Sequence, residues 1–173
     1  MEFLGNEVYF DPQDLIVSKT NLKGLITYAN HTFLKIADYT EAEVIGRPHN
    51  LIRHPNMPRG IFELLWNKLQ KGREIFAYVV NTTKSGDHYW VLAHVTPSFD
   101  GNEVVGFHST RRIPDQSIIK NVIEPLYDNL NTIEGKHQNK RESIQASSKY
   151  LEDLLASKGV SYDEFVCNLV RGN

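Results

Sequence analysis

Prolines at positions 48, 55 and 58 constrain this chain more than any other feature. Each fixes its own φ and pushes the preceding residue out of the helical region, so the segment between them is stiff and irregular. Into it the sequence puts His49, Asn50, Arg53, His54 and Asn56: two imidazoles, two amides and a guanidinium within eight residues. Ile61, Leu64, Leu65 and Trp66 then recur at helical spacing, the stripe of a helix that walls a core. A rigid polar loop running into an apolar helix suits a wall that holds a flat ligand with polar edges. The competing reading is a tight turn whose polar groups merely satisfy one another.

The 173 residues suffice for one well-buried core and an appendage. A net charge of −2, from 19 basic and 21 acidic residues, gives no electrostatic reason to expect nucleic acid or an anionic membrane as partner. No apolar run approaches the roughly 18 residues that span a bilayer, and the first residues lack the basic start and apolar centre of a signal peptide. A cytoplasmic protein is expected. Cys167, the single cysteine, excludes an internal disulfide and a multi-cysteine metal site, and its place in an apolar helical pattern makes it a core filler.

Residues 1–14 carry aromatics without a clean period and read as a lead-in that docks on the main domain or pairs with a partner chain. Leu15 to Lys19 and Leu25 to Ala29 are apolar runs about the turn Asn21-Leu22-Lys23-Gly24, a hairpin. Asn30 caps a helix through Ile36, and Thr40-Glu41-Ala42-Glu43 is a capping box opening a short turn that ends at Gly46. A helix from Arg59 to about Gln70 stops at Lys71-Gly72. Ile75 to Thr83, His88 to Pro97 and Val104 to Arg112 are rich in β-branched and aromatic residues and read as strands. Two strands, then helices, then three strands predict an α+β fold, an antiparallel five-stranded sheet with helices on one face and a ligand crevice between. From Pro114 the pattern changes. Ile118 to Ile133 follows 3/4 spacing, residues 135–148 read as a solvated linker or exposed helix, and two short helices flank Gly159-Val160-Ser161, with Ser161 as cap. The expected division is a lead-in over 1–14, a domain over 15–113 and a helical signalling or interaction extension over 114–173.

Three blocks carry a resemblance to a known family: Gly24 to Phe33, Gly46 to Pro58, and Lys84 to Val91. Over about Leu15 to Arg112 the chain resembles a PAS domain of the bacterial aerotaxis-receptor type. Such domains bind FAD without a covalent bond and signal its redox state. A chain of this kind without a membrane helix is similar to the soluble half of split energy-taxis systems, in which a chemoreceptor or HAMP-containing signalling protein supplies the membrane and output parts. The resemblance implies flavin contacts at Asn30, Arg53, His54, Trp66 and Asn81, and it brings His49, Asn50 and Trp90 into the same candidate set. Asn56 stands where the family has an aspartate, and Ile75 where it has a tryptophan. A homodimer is a further expectation.

Oxidised flavin presents N5 as an acceptor and reduced flavin presents N5–H as a donor. A side-chain amide can meet either by rotating, which singles out Asn81 and then Asn30 as readers. Arg53 offers a charged fork for a carbonyl edge or a phosphate. His88 and His94 share a strand face, but without carboxylate or thiolate company they read as packed imidazoles rather than metal ligands. Rival readings are a haem-binding gas sensor and a cofactor-free interaction module. An enzyme is not expected: there is no nucleophile elbow, phosphate loop or carboxylate dyad, and Cys167 lies too far away for cysteine photochemistry.

Overall fold

The computed structural model describes Phe3 and residues 5–172. They form two compact units, one from the residues up to Pro55 with Lys68–Pro114, the other from Asn56–Asn67 with the chain from Asp115 onward.

The first unit is a five-stranded sheet: β1 (Ile16–Asn21), β2 (Ile26–Ala29), β3 (Ile75–Thr82), β4 (His88–Asp100) and β5 (Glu103–Arg112). All pairings are antiparallel, in the order β2-β1-β5-β4-β3. The first hairpin closes because the Asn21 side chain accepts the Lys23 and Leu25 N–H groups at 2.9 and 3.0 Å. Gly24 supplies the left-handed φ of 74° that this turn requires. In the centre of the sheet a Cβ on Gly106 would collide with the Thr20 carbonyl oxygen, so β5 can lie this close to β1 only with glycine there.

Helix α1 (His31–Ala37) starts at its cap Asn30 and ends on Asp38 in the left-handed region. Helix α2 (Glu41–Val44) opens with the capping box of Thr40 and Glu43. Glu43 also pairs with Lys84 Nζ at 2.6 Å, and the Lys84 N–H donates to the Ala37 carbonyl at 2.9 Å, which ties the β3–β4 turn to both helices. That Lys84 contact holds the Glu43 carboxyl down at about 2. The proline-flanked loop contributes a 3-10 turn, His49–Ile52.

Alternation and register assign the sheet's two faces. Ile16 and Ser18, Ser109 and Arg111, Tyr89 and Ala93, and Ala77 and Asn81 lie on one face, here the inner face, and all are buried. Trp90, Val80 and Tyr78 lie buried on the outer face. The lead-in docks there, with Val8 N–H donating to the His88 carbonyl at 2.7 Å and Phe3 stacked on the His88 ring at 4.3 Å.

The second unit is helical: α3 (Arg59–Leu69), α4 (Gln116–Ile118), a π turn (Ile119–Ile123), α5 (Glu124–Gly135), α6 (Lys140–Ser157) and α7 (Tyr162–Arg171). The π turn has a local cause. Pro125 has no N–H for the carbonyl of Asn121, and its ring crowds that carbonyl, so the helix widens just before it. Residues 140–148, expected as linker or exposed helix, are the first half of α6. Asn139 caps it by accepting the Arg141 N–H at 2.8 Å, and Ser143 and Ser147 are fully buried. Small hydroxyl side chains on the buried face hid this helix from a reading based on apolar spacing. Cys167 is exposed, a correction to its reading as core. The buried stripe of α7 runs through Tyr162 and Val166, four residues apart, and the next residue turns about 100° away from it.

Glu134 holds this unit together. Its buried carboxylate accepts the Arg59 and Gly60 N–H groups at 3.1 and 2.9 Å and the Ser147 hydroxyl at 2.9 Å, joining the start of α3 to α5 and α6. Glu134→Ala should cost about 2–3 kcal/mol, since three donors lose a charged acceptor, and Glu134→Gln should cost less. Urea unfolding of the three proteins checks this order; equal losses would remove the carboxylate from its organising role.

Candidate functional site

The polar residues of the inner face converge around Arg111. This guanidinium, on β5, is 4% exposed. Its Nη2 donates to Ser18 Oγ at 2.9 Å and to His49 Nε2 at 2.6 Å, and Ser18 Oγ lies 3.1 Å from the same imidazole nitrogen. The Phe33 ring sits 5.8 Å from the guanidinium carbon. Arginine can only donate, so His49 Nε2 accepts, and the proton of this neutral ring is on Nδ1.

Burial and then the neighbouring Arg111 charge pull the His49 imidazole down to about 3. Burial also lowers Arg111 to about 10, with the Tyr89 hydroxyl opposing, so the guanidinium stays charged at neutral pH. Tyr89 is pushed up by burial, against the Arg111 charge and the Asn81 amide. Among the described residues, three buried polar atoms of this face have no geometric hydrogen-bond partner: Asn81 Nδ2, Ser109 Oγ and Arg111 Nη1. Buried donors normally find partners, so a face presenting three such atoms suits a ligand with polar edges.

The sequence-derived residues separate into groups. Asn81 is 3% exposed, on the inner face of β3 opposite Tyr89. Arg53 forms a backbone bridge with Asn81, so the proline-stiffened loop is tied to β3 at that residue. His49 belongs to the Arg111 cluster. Asn50, its neighbour in the 3-10 turn, is exposed. Asn30 is engaged otherwise: its Oδ1 accepts from Val17 N–H at 3.0 Å and Phe33 N–H at 2.9 Å, and its Nδ2 donates to the Leu15 carbonyl at 2.7 Å. An amide with both ends committed to backbone cannot rotate freely, and Asn30 serves as the cap of α1. Trp90 lies on the face opposite Asn81, where its ring meets Phe3 edge-on at 6.1 Å. His54 is buried beside that outer cluster, 5.2 Å from the Phe3 ring, and burial followed by the His88 charge lowers its pKa. Trp66 stands on α3 in the second unit.

Sequence reasoning missed Arg111, Ser18, Ser109 and Tyr89. Arg111-Arg112 looks like a charged strand end; only the register of β5 against β1 and β4 turns the first arginine inward. Among the described residues no cluster of histidine, cysteine and acidic groups could hold a metal ion.

A five-stranded antiparallel sheet with short helices and a polar loop over one face defines a small α+β module. Residues 26–111 match the family model described as the PAS fold, and the chain belongs to that family. It is 42% identical over 117 residues to the aerotaxis receptor of Escherichia coli (strain K12), a match covering 67% of this chain and 23% of the receptor. It is 31% identical over 75 residues to phototropin-2 of Oryza sativa subsp. japonica, covering 43% of this chain and 8% of that protein. The chain thus spans less than a quarter of either relative. A solved structure described as "Flavin Analogue Sheds Light on Light-Oxygen-Voltage Domain Mechanism" matches with a TM-score of 0.57 at 20% identity, over 66% of this chain and 87% of that one.

The lowered His49 predicts acid sensitivity. The unfolded chain binds this proton near the ordinary 6.5, whereas the folded site excludes it down to about 3. The corresponding stability is fully present above pH 6.5 and drains away as pH falls toward 3, by at most about 1.4 kcal/mol per pH unit. In His49→Asn, which keeps an acceptor without a titrating ring, the loss between pH 7.5 and 5 should shrink. Urea unfolding at the two pH values checks it, and equal losses in both proteins would exclude His49 as the source.

Proposed function

We propose that this chain is a non-enzymatic redox sensor that binds FAD against the inner face of its PAS sheet and signals to a chemoreceptor-type partner. The observation that carries the reading is the set of unpartnered buried polar atoms at Asn81, Ser109 and Arg111, on one face of a domain related to an aerotaxis receptor. The light-oxygen-voltage neighbour described with a flavin analogue supports the same ligand class. No helix among the described residues is long and apolar enough to cross a membrane. In this reading the protein works in the cytoplasm, as a monomer or a homodimer, and its partner is a chemoreceptor or HAMP-containing signalling protein.

A bound flavin supplies reversible redox chemistry with a change of hydrogen-bonding character along one edge of its ring. Asn81 is our reader of that change, because it is buried on the inner face beside Tyr89 and a flip of its amide exchanges donor for acceptor. Arg53 keeps its charge in either state, and its backbone bridge to Asn81 carries any shift of that amide into the proline-stiffened loop. The neutral His49, held by Ser18 and Arg111, turns a lone pair rather than a proton toward the guanidinium. Residues 115–173 serve in this reading as the extension that meets the partner.

The absorption spectrum of the purified protein tests the reading directly. Paired flavin bands that bleach under dithionite are expected, with FAD as the nucleotide released on denaturation. A single intense Soret band or a colourless protein that takes up no added FAD would overturn it. Asn81→Ala should lower flavin occupancy severalfold or shift its reduction potential; a variant unchanged in both would remove Asn81 as the reader.

A further inference from the structure

We propose that Arg111 is the anion site of the inner face, a cation without a carboxylate that holds the electron-rich edge of the bound ring and binds its reduced, negatively charged form more tightly than its oxidised form. This deepens the flavin reading and rests on it for the identity of the ligand. The assignment of Arg111 as a site for negative charge rests on the geometry alone.

A buried guanidinium ordinarily has a carboxylate beside it, because desolvating the charge costs several kcal/mol that neutral neighbours do not return. Arg111 has none. Its hydrogen-bond partners, Ser18 and His49, are neutral, and Phe33 offers only a ring face. Nη1, on the same fork, is buried and unpartnered.

Ala77, Ala93, Arg111 and Ile16 form one row across β3, β4, β5 and β1, so two alanines, both buried, are the row's neighbours of the guanidinium on one side. Neither carries a polar group that could take a hydrogen bond from Nη1.

A structural role for the cation is poorly supported by its contacts. Ser18 Oγ is 3.1 Å from His49 Nε2 and can donate to it without help, so the neutral pair survives if the guanidinium is removed. What Arg111 adds is charge. Two-electron reduction of a bound ring, with dithionite as the electron donor and one proton taken from solvent at N5, would leave one negative charge on its N1 edge. A fixed cation beside that edge favours the reduced ring, which raises its potential relative to a site without the cation.

The test compares wild type, Arg111→Met and Arg111→Lys as full-length proteins, each with FAD bound and after FAD is stripped. Without FAD, Arg111→Met should melt at or above the wild-type temperature, because an apolar chain of similar length replaces a desolvated charge. With FAD, its preference for the reduced ring should fall at least tenfold, which for a two-electron couple is a drop of about 30 mV in midpoint potential. Arg111→Lys keeps the charge and should lie between the two. An unmoved potential in Arg111→Met overturns the proposal, and so does an Arg111→Met protein too unstable to fold without FAD, which would make the guanidinium structural. Were wild type to take up no FAD, the flavin reading would fall by itself. The melting comparison would still decide whether Arg111 is a charge kept at the expense of stability or a structural tie.

Discussion

A guanidinium held out of water with no carboxylate beside it among the described residues is the constraint to which the inner face is fitted. Arg111 cannot discard its proton, so everything packed against it must tolerate a full positive charge. His49 does so by staying neutral with its lone pair turned toward the fork; Ser18 does so with a hydroxyl that serves either neighbour. The position of His49 in turn depends on the proline segment. Its N–H donates to the Gly24 carbonyl at 2.9 Å, and the Ile26 N–H donates to the Arg47 carbonyl at 2.9 Å, so the loop is sewn to the free edge of β2 before it turns into the sheet. Pro48 keeps the residue before it extended and suited to that pairing. The stiffness evident in the sequence thus serves to deliver one imidazole to one arginine across the sheet from the edge strand.

Features that depend on near neighbours in the chain were legible. Asn30, Thr40 and Ser161 cap the helices expected of them, because a cap is a contact between residues three apart. The five strands and their antiparallel pairing followed from composition and turn residues. Features set by register were not. His88, Tyr89 and Trp90 are consecutive, and the sequence does not say which face each takes; the pairing of Tyr89 with Asn81 puts the tyrosine inside and the tryptophan outside. Asn81 was found because an amide in a β-rich run has no local explanation. Asn30 drew the same attention and had one, as a helix cap. Arg111 escaped because it stands beside a second, exposed arginine at the end of a strand, where charge is expected.

The helical unit shows the same division. Apolar spacing identifies α5, but the join among α3, α5 and α6 depends on a carboxylate and two serines, residue types that read as surface. Gly60 marks the place in a different way. A Cβ there would lie 2.5 Å from Ser147 Oγ, so the first turn of α3 and the middle of α6 approach to a distance that only glycine permits. Close backbone approach with polar bonds across it gives a joint of defined geometry, in contrast to a greasy contact that can slide.

That geometry bears on how a ligand's state could leave the sheet. β5 is held on both sides, by β1 and by β4, and Gly106 seats it against the backbone of β1. Sliding this strand would break two ladders at once, so a response to charge at Arg111 has to pass through side chains or through the strand's end. The ladder with β4 stops at the pair Leu92 and Arg112, and the next residues are Ile113, Pro114 and then Asp115, whose carboxylate accepts the Ser117 N–H at 2.7 Å to start α4. Beyond them the helix is already widened by Pro125. An element biased by two states must have two arrangements of similar energy. The stretch from the last ladder pair to the π turn is bounded by a rigid strand at one end and the Glu134 joint at the other. Residues 113–123 therefore lie outside the sheet's ladders, and their backbone geometry is set by the Asp115 cap and by Pro125.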